Sequence, residues 1–329
     1  MVRLKDIAKQ TGLTVSTVSK ALNRSKEISR ETSEVVWEAA REMGYVPKKA
    51  ANHVEKTIGV ILPEINSQYY ARLMDALNRE IVKHGYVMIT LLKSGYASKL
   101  EPYVEQMRKY APDGMIICCD YSATENTFQK VLDCQIPSLL LNENLVTFPI
   151  DSICIEESKS VKLAVDYLLQ LGHKKIGYLG DKLSDVRYQS FCNLMSEKKL
   201  EVDSRFVKRG DVRFEEGGYQ LACELLKESE LPTAIIASYD QVAVGAMKAF
   251  REKGIRIPQE VSIVGFDNIV LDEYCQVPLT SVTNPVEQMG VTAVKILLDA
   301  LRNPGTHVVQ NVSLQSRLVV RESTCEVDK

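Results

Sequence analysis

Apolar positions recur along this chain with two different periods. In VRLKDIAKQTG, Leu4, Ile7 and Ala8 fall at i, i+3 and i+4 and mark one face of a helix that Gly12 ends. Thr14 stands where an N-cap is wanted, and Val15, Val18, Ala21 and Leu22 carry a second helical face. Two short helices joined by a tight Gly-containing turn form a helix-turn-helix. A third helix is predicted from near Ser29, with Glu31 in its first turn. It turns Val35, Val36, Ala39, Ala40 and Met43 toward the first two, and Gly44 and Pro47 close it.

From Thr57 onward the texture changes. TIGVIL, VMITLL, GMIICC, PSLLLN, IGYLG, TAIIAS and VSIVGF read as buried strands. Between them lie amphipathic stretches such as ARLMDALNREIVKHG, SVKLAVDYLLQLG, GYQLACELLKE and DQVAVGAMKAFREKG. Strands alternating with helices predict an α/β body of doubly wound parallel sheets, and two sets of such units predict two lobes. In open sheets of this kind ligands bind beyond the carboxyl ends of the strands.

Charge separates the two textures. Residues 1–56 hold 11 Lys/Arg against 7 Asp/Glu, and the remainder holds 30 against 36. A basic head on an acidic body points to a polyanion partner for the head alone. Hydrophobic residues at 45% and charged residues at 26% exclude fibrous and disordered classes. The eight cysteines contain no C-x-x-C spacing, which fits small buried hydrophobes in a reducing compartment and leaves no metal site expected. Charges in MVRLKDIAKQ and the absence of a long apolar run predict a cytoplasmic protein with no membrane span. No P-loop, G-x-S-x-G, H-E-x-x-H or strand-ending G-x-G-x-x-G occurs, so neither catalytic residues nor a cofactor are expected. Among the four scattered histidines, His173 follows Gly172 at a helix end, where a cation complements the helix dipole.

LKDIAKQTGLTVSTVSKALN closely resembles the head of the LacI/GalR transcriptional regulators, whose pattern is K-D-I-A-x-x-A-G-V-S-x-x-T-V-S-R-x-L-N. The similarity continues through LGHKKIGYLG, PTAIIASYDQVAVGAMKAFREKGIRIPQEVSIVGFDN, VPLTSV, MGVTAVKILL and LVVREST. The resemblance implies a sequence-specific DNA-binding repressor. Its helix-turn-helix domain would span 1–47, a hinge or linker 48–56, and a periplasmic-binding-protein-like body 57–329. One lobe would take 57–158 and 285–304, the other 159–284 and 305–323. The comparison places Val15, Ser16 and Lys20 at base-reading positions in the major groove, and Thr14, Thr17 and Asn23 at phosphate-holding ones. Capping by Thr14 and a helix stop at Asn23 are the structural alternatives, and both roles can coexist. Val18 is expected in the core. The family's hinge helix inserts a Leu wedge in the minor groove; here Val54 takes that place, in a linker a few residues shorter, and an ordinary flexible linker is the alternative.

For the body, the resemblance implies a sugar or related effector between the lobes. Tyr69 and Tyr70 would be aromatic walls, Arg187 a bidentate grip, Asp240 and Asp267 polar partners, and Phe214 a platform displaced by one residue. Asp240 could instead cap a helix, Asp267 could be a loop carboxylate, and the two tyrosines could be core or dimer contacts. Glu156-Glu157 replaces the family's D-N, and Tyr239 replaces its Asn, so no particular effector transfers. Palindromic operators imply a homodimer. Leu73, Met74, Leu77 and Ile81 are a candidate interface stripe, or equally the inner face of their own helix.

Overall fold

Each N-terminal helix forms where local chemistry starts and stops it. Helix α1 (Leu4–Thr11) ends on Gly12 at φ +69°, a left-handed conformation that glycine adopts without steric cost. Helix α2 (Val15–Leu22) follows at once, and α3 (Arg30–Glu42) starts on Ser29, whose Oγ accepts the Thr32 N–H at 3.2 Å. Ile7, Ala8, Val18, Ala21, Leu22, Val36, Ala39 and Ala40 close a small core, with Met43 against it. Val35, predicted to face this core, is 52% exposed. Successive helical residues are turned about 100° apart, and Val36 takes the inward direction. This computed structural model describes residues 2–22, 27–43, 45, 56–93, 98–120, 123–142 and 148–327. Asn23, Gly44, Pro47, Val54 and the rest of the predicted hinge 48–55 lie outside them.

The body alternates as its pattern predicts. Its first part runs β1 (Lys56–Leu62), α4 (Gln68–Lys83), β2 (Tyr86–Leu92), α5 (Glu101–Lys109), β3 (Gly114–Cys118), α6 (Glu125–Asp133), β4 (Ser138–Asn142) and β5 (Asp151–Ile155). The second part runs α7 (Glu157–Gln170), β6 (Ile176–Asp181), α8 (Asp185–Glu197), β7 (Val207–Gly210), α9 (Phe214–Leu225) and β8 (Ala234–Ala237). It continues through α10 (Asp240–Glu252), β9 (Ser262–Phe266) and β10 (Thr280–Thr283). Helix α11 (Val286–Arg302), β11 (Asn311–Leu314) and β12 (Arg317–Val319) complete it.

Two six-stranded sheets result, ordered β2-β1-β3-β4-β5-β11 and β7-β6-β8-β9-β10-β12. Every pairing is parallel except β10 with β12. Alternate residues of each strand feed opposite faces, so both faces are covered. In the first lobe Ile58, Val60 and Leu62 pack under α4 and α11, while Ile61, Met115 and Ile117 pack under α5 and α6. Leu73, Leu77 and Ile81 lie in that same core with Met74 against it. The candidate interface stripe therefore packs on its own sheet. In the second lobe, α9 and α10 cover one face and α7 and α8 the other.

The chain crosses between sheets three times: before α7, before α11 and after β11. The expected second-lobe segment 305–323 is divided, because β11 pairs with β5 and the crossing falls after Leu314. His173 is structural, yet not as a cation at a helix end. It is 2% exposed, its Nδ1 lies 3.0 Å from the Thr233 hydroxyl and its Nε2 3.0 Å from the Cys325 carbonyl. Burial lowers its pKa and favours the neutral ring.

Helices α9 and α10 touch backbone to backbone. A Cβ on Gly245 would sit 1.9 Å from the Glu215 carbonyl oxygen, and one on Gly218 2.0 Å from that of Val242. Backbone cannot rotate away as a side chain does. Gly245→Ala is therefore expected to cost about 3 kcal/mol, read as a lower urea midpoint at unchanged slope. An unchanged midpoint would show that the two helices separate freely.

Candidate functional site

On the head, the start of α2 presents polar groups and one exposed valine. Thr14 Oγ accepts the Thr17 N–H at 3.1 Å, and the two hydroxyls are 2.9 Å apart. Capping thus holds both threonines at the helix end. Val15 is 47% exposed and Ser16 is exposed, whereas Val18 is fully buried as expected. Lys20 extends from the same helix and donates to Glu27 at 2.6 Å, which with its charge holds the Glu27 carboxyl below the usual range. Thr14, Val15, Ser16, Thr17 and Lys20 are thus brought together on one short helix and its cap. Asn23 and Val54 fall outside the described residues.

Both sheets of the body place their second-arriving strand at one edge beside the first. Each therefore has a switch point beside its first strand, β1 or β6, where adjacent connections leave on opposite faces. The carboxyl ends of β1, β3, β6 and β8 meet around a cavity of about 160 Å³. Tyr69, Tyr70, Arg187 and Asp267, the candidate ligand residues, are among those that line it. The two tyrosine rings meet edge-on at 5.1 Å, and Tyr69 donates to Met289 Sδ at 3.6 Å.

Arg187 is held on every side. Its Nε and Nη2 donate to the two Glu157 oxygens at 2.8 and 2.7 Å, its Nη1 donates to the Ser238 carbonyl, and its guanidinium lies 4.3 Å over the Phe266 ring. Burial opposes the charge, but the Glu157 charge and hydrogen bonds outweigh it and raise the pKa of Arg187 further.

Asp267 follows β9 at φ +97°, and Asn268 follows at +48°. Such backbone is costly for residues with a Cβ and persists only where its surroundings hold it. Here Arg72 reaches across from α4 and donates Nη1 to both carbonyls at 3.0 Å, while Glu287 holds its other nitrogens. The Asp267 carboxylate accepts from Asn284 Nδ2 at 3.0 Å, and the residue lines the cavity. Burial raises its pKa, with Arg187 pulling the other way.

Two predicted residues stand behind the cleft instead of in it. Phe214 packs 5.9 Å from the Tyr239 ring, and its neighbour Arg213 takes the cavity position. Asp240 is fully buried at the first position of α10. It accepts from Ser281 Oγ at 2.7 Å and from the Ile269 N–H at 3.1 Å, bracing the 267–269 turn from below. Gly265 is required there, since a Cβ would fall 2.1 Å from Asp240 Oδ1. It does not cap the helix with its side chain; Tyr239 holds the N-cap position.

Asp181, Arg213 and Tyr239 form a part of the site that sequence reasoning did not assemble. Asp181, at the end of β6, is 1% exposed and caps the next turn through the N–H groups of Leu183 and Ser184. Its other oxygen accepts from Arg213 Nε at 3.1 Å and from the Tyr239 hydroxyl. Burial and the Asp181 charge push the Tyr239 phenol upward. Arg213 Nη1 donates to Glu64 of the first lobe at 2.8 Å, closing the cleft mouth. In the first lobe Lys93 donates to Asp120 at 2.6 Å, both almost fully buried. The signal was position: a carboxylate directly after a buried strand of an α/β sheet. Among the described residues no group of three or more His, Cys, Asp or Glu side chains is arranged to hold a metal.

Comparison with known proteins bears on both parts of the chain. Residues 3–48 match the bacterial regulatory proteins of the lacI family, and residues 165–324 match the periplasmic binding protein-like domain. The chain is 29% identical to the HTH-type transcriptional repressor PurR of Actinobacillus pleuropneumoniae serotype 3 (strain JL03), over the full length of both. It is 30% identical to the ribose operon repressor of Haemophilus influenzae, covering 98% of each chain. The structure of the lac repressor dimer bound to operator and an anti-inducer superposes with a TM-score of 0.73 at 25% identity, over 98% of this chain and 99% of that one. A LacI family transcriptional regulator from Enterococcus faecium with bound ribose gives 0.73 at 26% identity, over 83% of this chain and 100% of that one. A helix-turn-helix head joined to a two-lobed body with a polar cleft defines a DNA-binding transcriptional regulator. The chain belongs to the lacI family of bacterial regulatory proteins.

Behind the cleft, Asp272 is a fully buried carboxyl set against the Asp240 carboxyl, with Arg321 Nη1 4.0 Å away. Burial raises its pKa, and it raises that of neighbouring Asp240 likewise. A raised carboxyl holds its proton more tightly in the folded state than in the unfolded one. Its stabilising share is therefore complete below the ordinary aspartate value, near pH 4, and is lost as pH rises toward neutrality. Asp272→Asn is expected to raise the melting temperature at pH 8 by at least about 2 °C and to flatten its pH dependence below pH 7. A lower melting temperature at pH 8 would show that the ionised carboxylate is stabilising.

Proposed function

We propose that this protein is a transcriptional repressor that binds double-stranded operator DNA as a homodimer and is controlled by a small ligand, a sugar or related metabolite, in the interlobe cleft. The observation that carries the reading is the strained Asp267 turn. It belongs to the second lobe, places Asp267 in the cavity wall and is gripped by Arg72 of the first lobe. A ligand on that carboxylate therefore acts on a contact that spans both lobes. The relatives support DNA control: the lac repressor structure is a dimer on operator, and an Enterococcus regulator holds ribose. In this reading head 1–47, linker 48–56 and body 57–329 are the working units, the cleft binds rather than catalyses, and the protein acts in the cytoplasm. No helix among the described residues is long and apolar enough to cross a membrane.

On the DNA side, Val15 offers apolar contact to a thymine methyl, Ser16 a short donor and acceptor, and Lys20 a reach to guanine O6 and N7. Thr14, Thr17 and Asn23 hold phosphates, and Val54 supplies the hinge wedge. In the cleft, Tyr69, Tyr70, Arg187 and Asp267 surround the ligand, with Phe214 and Asp240 as support.

A gel shift against the DNA upstream of the protein's own gene tests the reading. Protein at about 1 μM, well above the ~10⁻⁸ M expected for a specific site, should retard that fragment at moderate salt. Absence of retardation with and without ligand would remove it. Lys20→Ala is expected to lose about 1–3 kcal/mol at a single operator position and leave the other positions unaffected. Equal losses on all sequences would make Lys20 a phosphate contact. Asp267→Asn is expected to keep operator binding while abolishing its response to ligand. An unchanged response curve would remove Asp267 from the site.

A further inference from the structure

Arg187 is the guanidinium that the family resemblance offers as a bidentate grip on ligand hydroxyls or a carboxylate, and here it is already occupied. Glu157 takes two of its nitrogens, and the Ser238 carbonyl takes the third. Side chains of both partners are only 11% and 12% exposed, so the pair is shielded from the water that weakens surface ion pairs. The other cations at the cleft are matched in the same way. Arg213 lies between Asp181 and Glu64, and Lys93 lies on Asp120. Among the described residues that line the cavity, carboxylates outnumber cations four to two: Asp120, Glu157, Asp181 and Asp267 against Arg187 and Arg213. Arg72, which reaches Asp267 only through its carbonyl, brings its own counter-charge in Glu287.

Asp267 is the odd one out. Its carboxylate accepts an amide hydrogen bond from Asn284, and no described cation stands within ion-pairing distance of it. It lines a cavity together with tyrosine rings, apolar side chains and charges that are paired with one another. A carboxylate so placed accepts hydrogen bonds from hydroxyl or amino groups, and it repels a phosphate or carboxylate.

We propose that Glu157 sets the charge class of the ligand: by holding Arg187 it closes the cleft to anions and leaves Asp267 to receive hydroxyl or ammonium donors. The inference rests on the cleft being the ligand site. An anionic ligand would have to strip Arg187 from Glu157 and leave that carboxylate buried beside the incoming charge. A polyol or an amino sugar needs no such exchange.

Isothermal titration of the full-length protein tests this, using D-glucose, D-glucosamine, D-gluconate, D-glucose 6-phosphate and inorganic phosphate as probes. In the wild type neither gluconate nor either phosphate should bind more tightly than glucose or glucosamine. Glu157→Gln keeps the shape but drops the charge, and it should gain at least about tenfold in affinity for inorganic phosphate or gluconate. Adding Arg187→Met should erase that gain. Tighter binding of an anion than of the neutral sugar by wild type would overturn the proposal without any variant. So would a Glu157→Gln protein that retains operator binding yet gains no anion affinity, or a gain that survives Arg187→Met. A wild type whose operator affinity answers to no small molecule, beside a Glu157→Gln protein that gains anions through Arg187, would sink ligand control alone and leave the role of Glu157 standing.

Discussion

Three strands of chain join the two lobes, and a single line of hydrogen bonds ties those crossings to the cleft. Ser160, in the first turn of α7, lies 2.8 Å from the Ser316 hydroxyl after β11. Ser316 Oγ donates to Asn284 Oδ1 at 3.0 Å at the crossing before α11, and Asn284 Nδ2 donates to Asp267 at 3.0 Å. Each crossing contributes one member. The line ends on the residue whose backbone is strained and which lines the cavity. An amide that donates on one side and accepts on the other fixes the orientation of both neighbours. The line thus links Asp267 to all three crossings between the lobes.

The closed arrangement has its own electrostatic support. Arg213 of the second lobe meets Glu64 of the first, and Arg72 of the first lobe meets two carbonyls of the second. Both contacts span the two lobes, and a ligand acts on them through its difference in affinity between arrangements that keep them and arrangements that break them. Tyr239 contributes to the same closure. Its hydroxyl is spent on Asp181 and its ring packs on Phe214, so it fills space and orders Arg213. The cleft is therefore narrow because it is partly occupied by its own charged network.

Periodicity explains which parts of this architecture were legible. The helices from Gln68 to Lys83 and from Asp240 to Glu252 are long and amphipathic, and strands such as Ile176–Asp181 are continuous apolar runs buried on both faces. Strand β11 is four residues with alternating half-buried positions, and β12 is three, so neither stands out from a loop. Arg187, Asp267, Tyr69 and Tyr70 could be named because the family resemblance supplies their places. Asp240 could not be assigned correctly that way, since its partners Ile269 and Ser281 are 29 and 41 residues away. Likewise the Glu64–Arg213 bond spans 149 residues, a relation no local pattern carries. Phe214 begins α9 at φ +60°, and it is the preceding Arg213 that lines the cavity.

The same contacts define how a change in the cleft spreads through the first lobe. Arg72 on α4 is clamped by Glu287 in the first turn of α11, and a Cβ on Gly290 would come within 2.8 Å of Ala76. Gly290 leaves the room that Ala76 fills, so α4 and α11 pack closely at this point. They cover the sheet that begins at Lys56, directly after the linker to the head. Release of the 267–268 carbonyls from Arg72 thus acts on the helix layer over β1, the strand to which the head is attached. Val60 and Leu62 of β1 share a core with Leu73, Leu77 and Met289, so that strand has no soft layer in which a displacement could dissipate. Two packed helices and one bridging arginine thus form a continuous physical link between the cleft and β1.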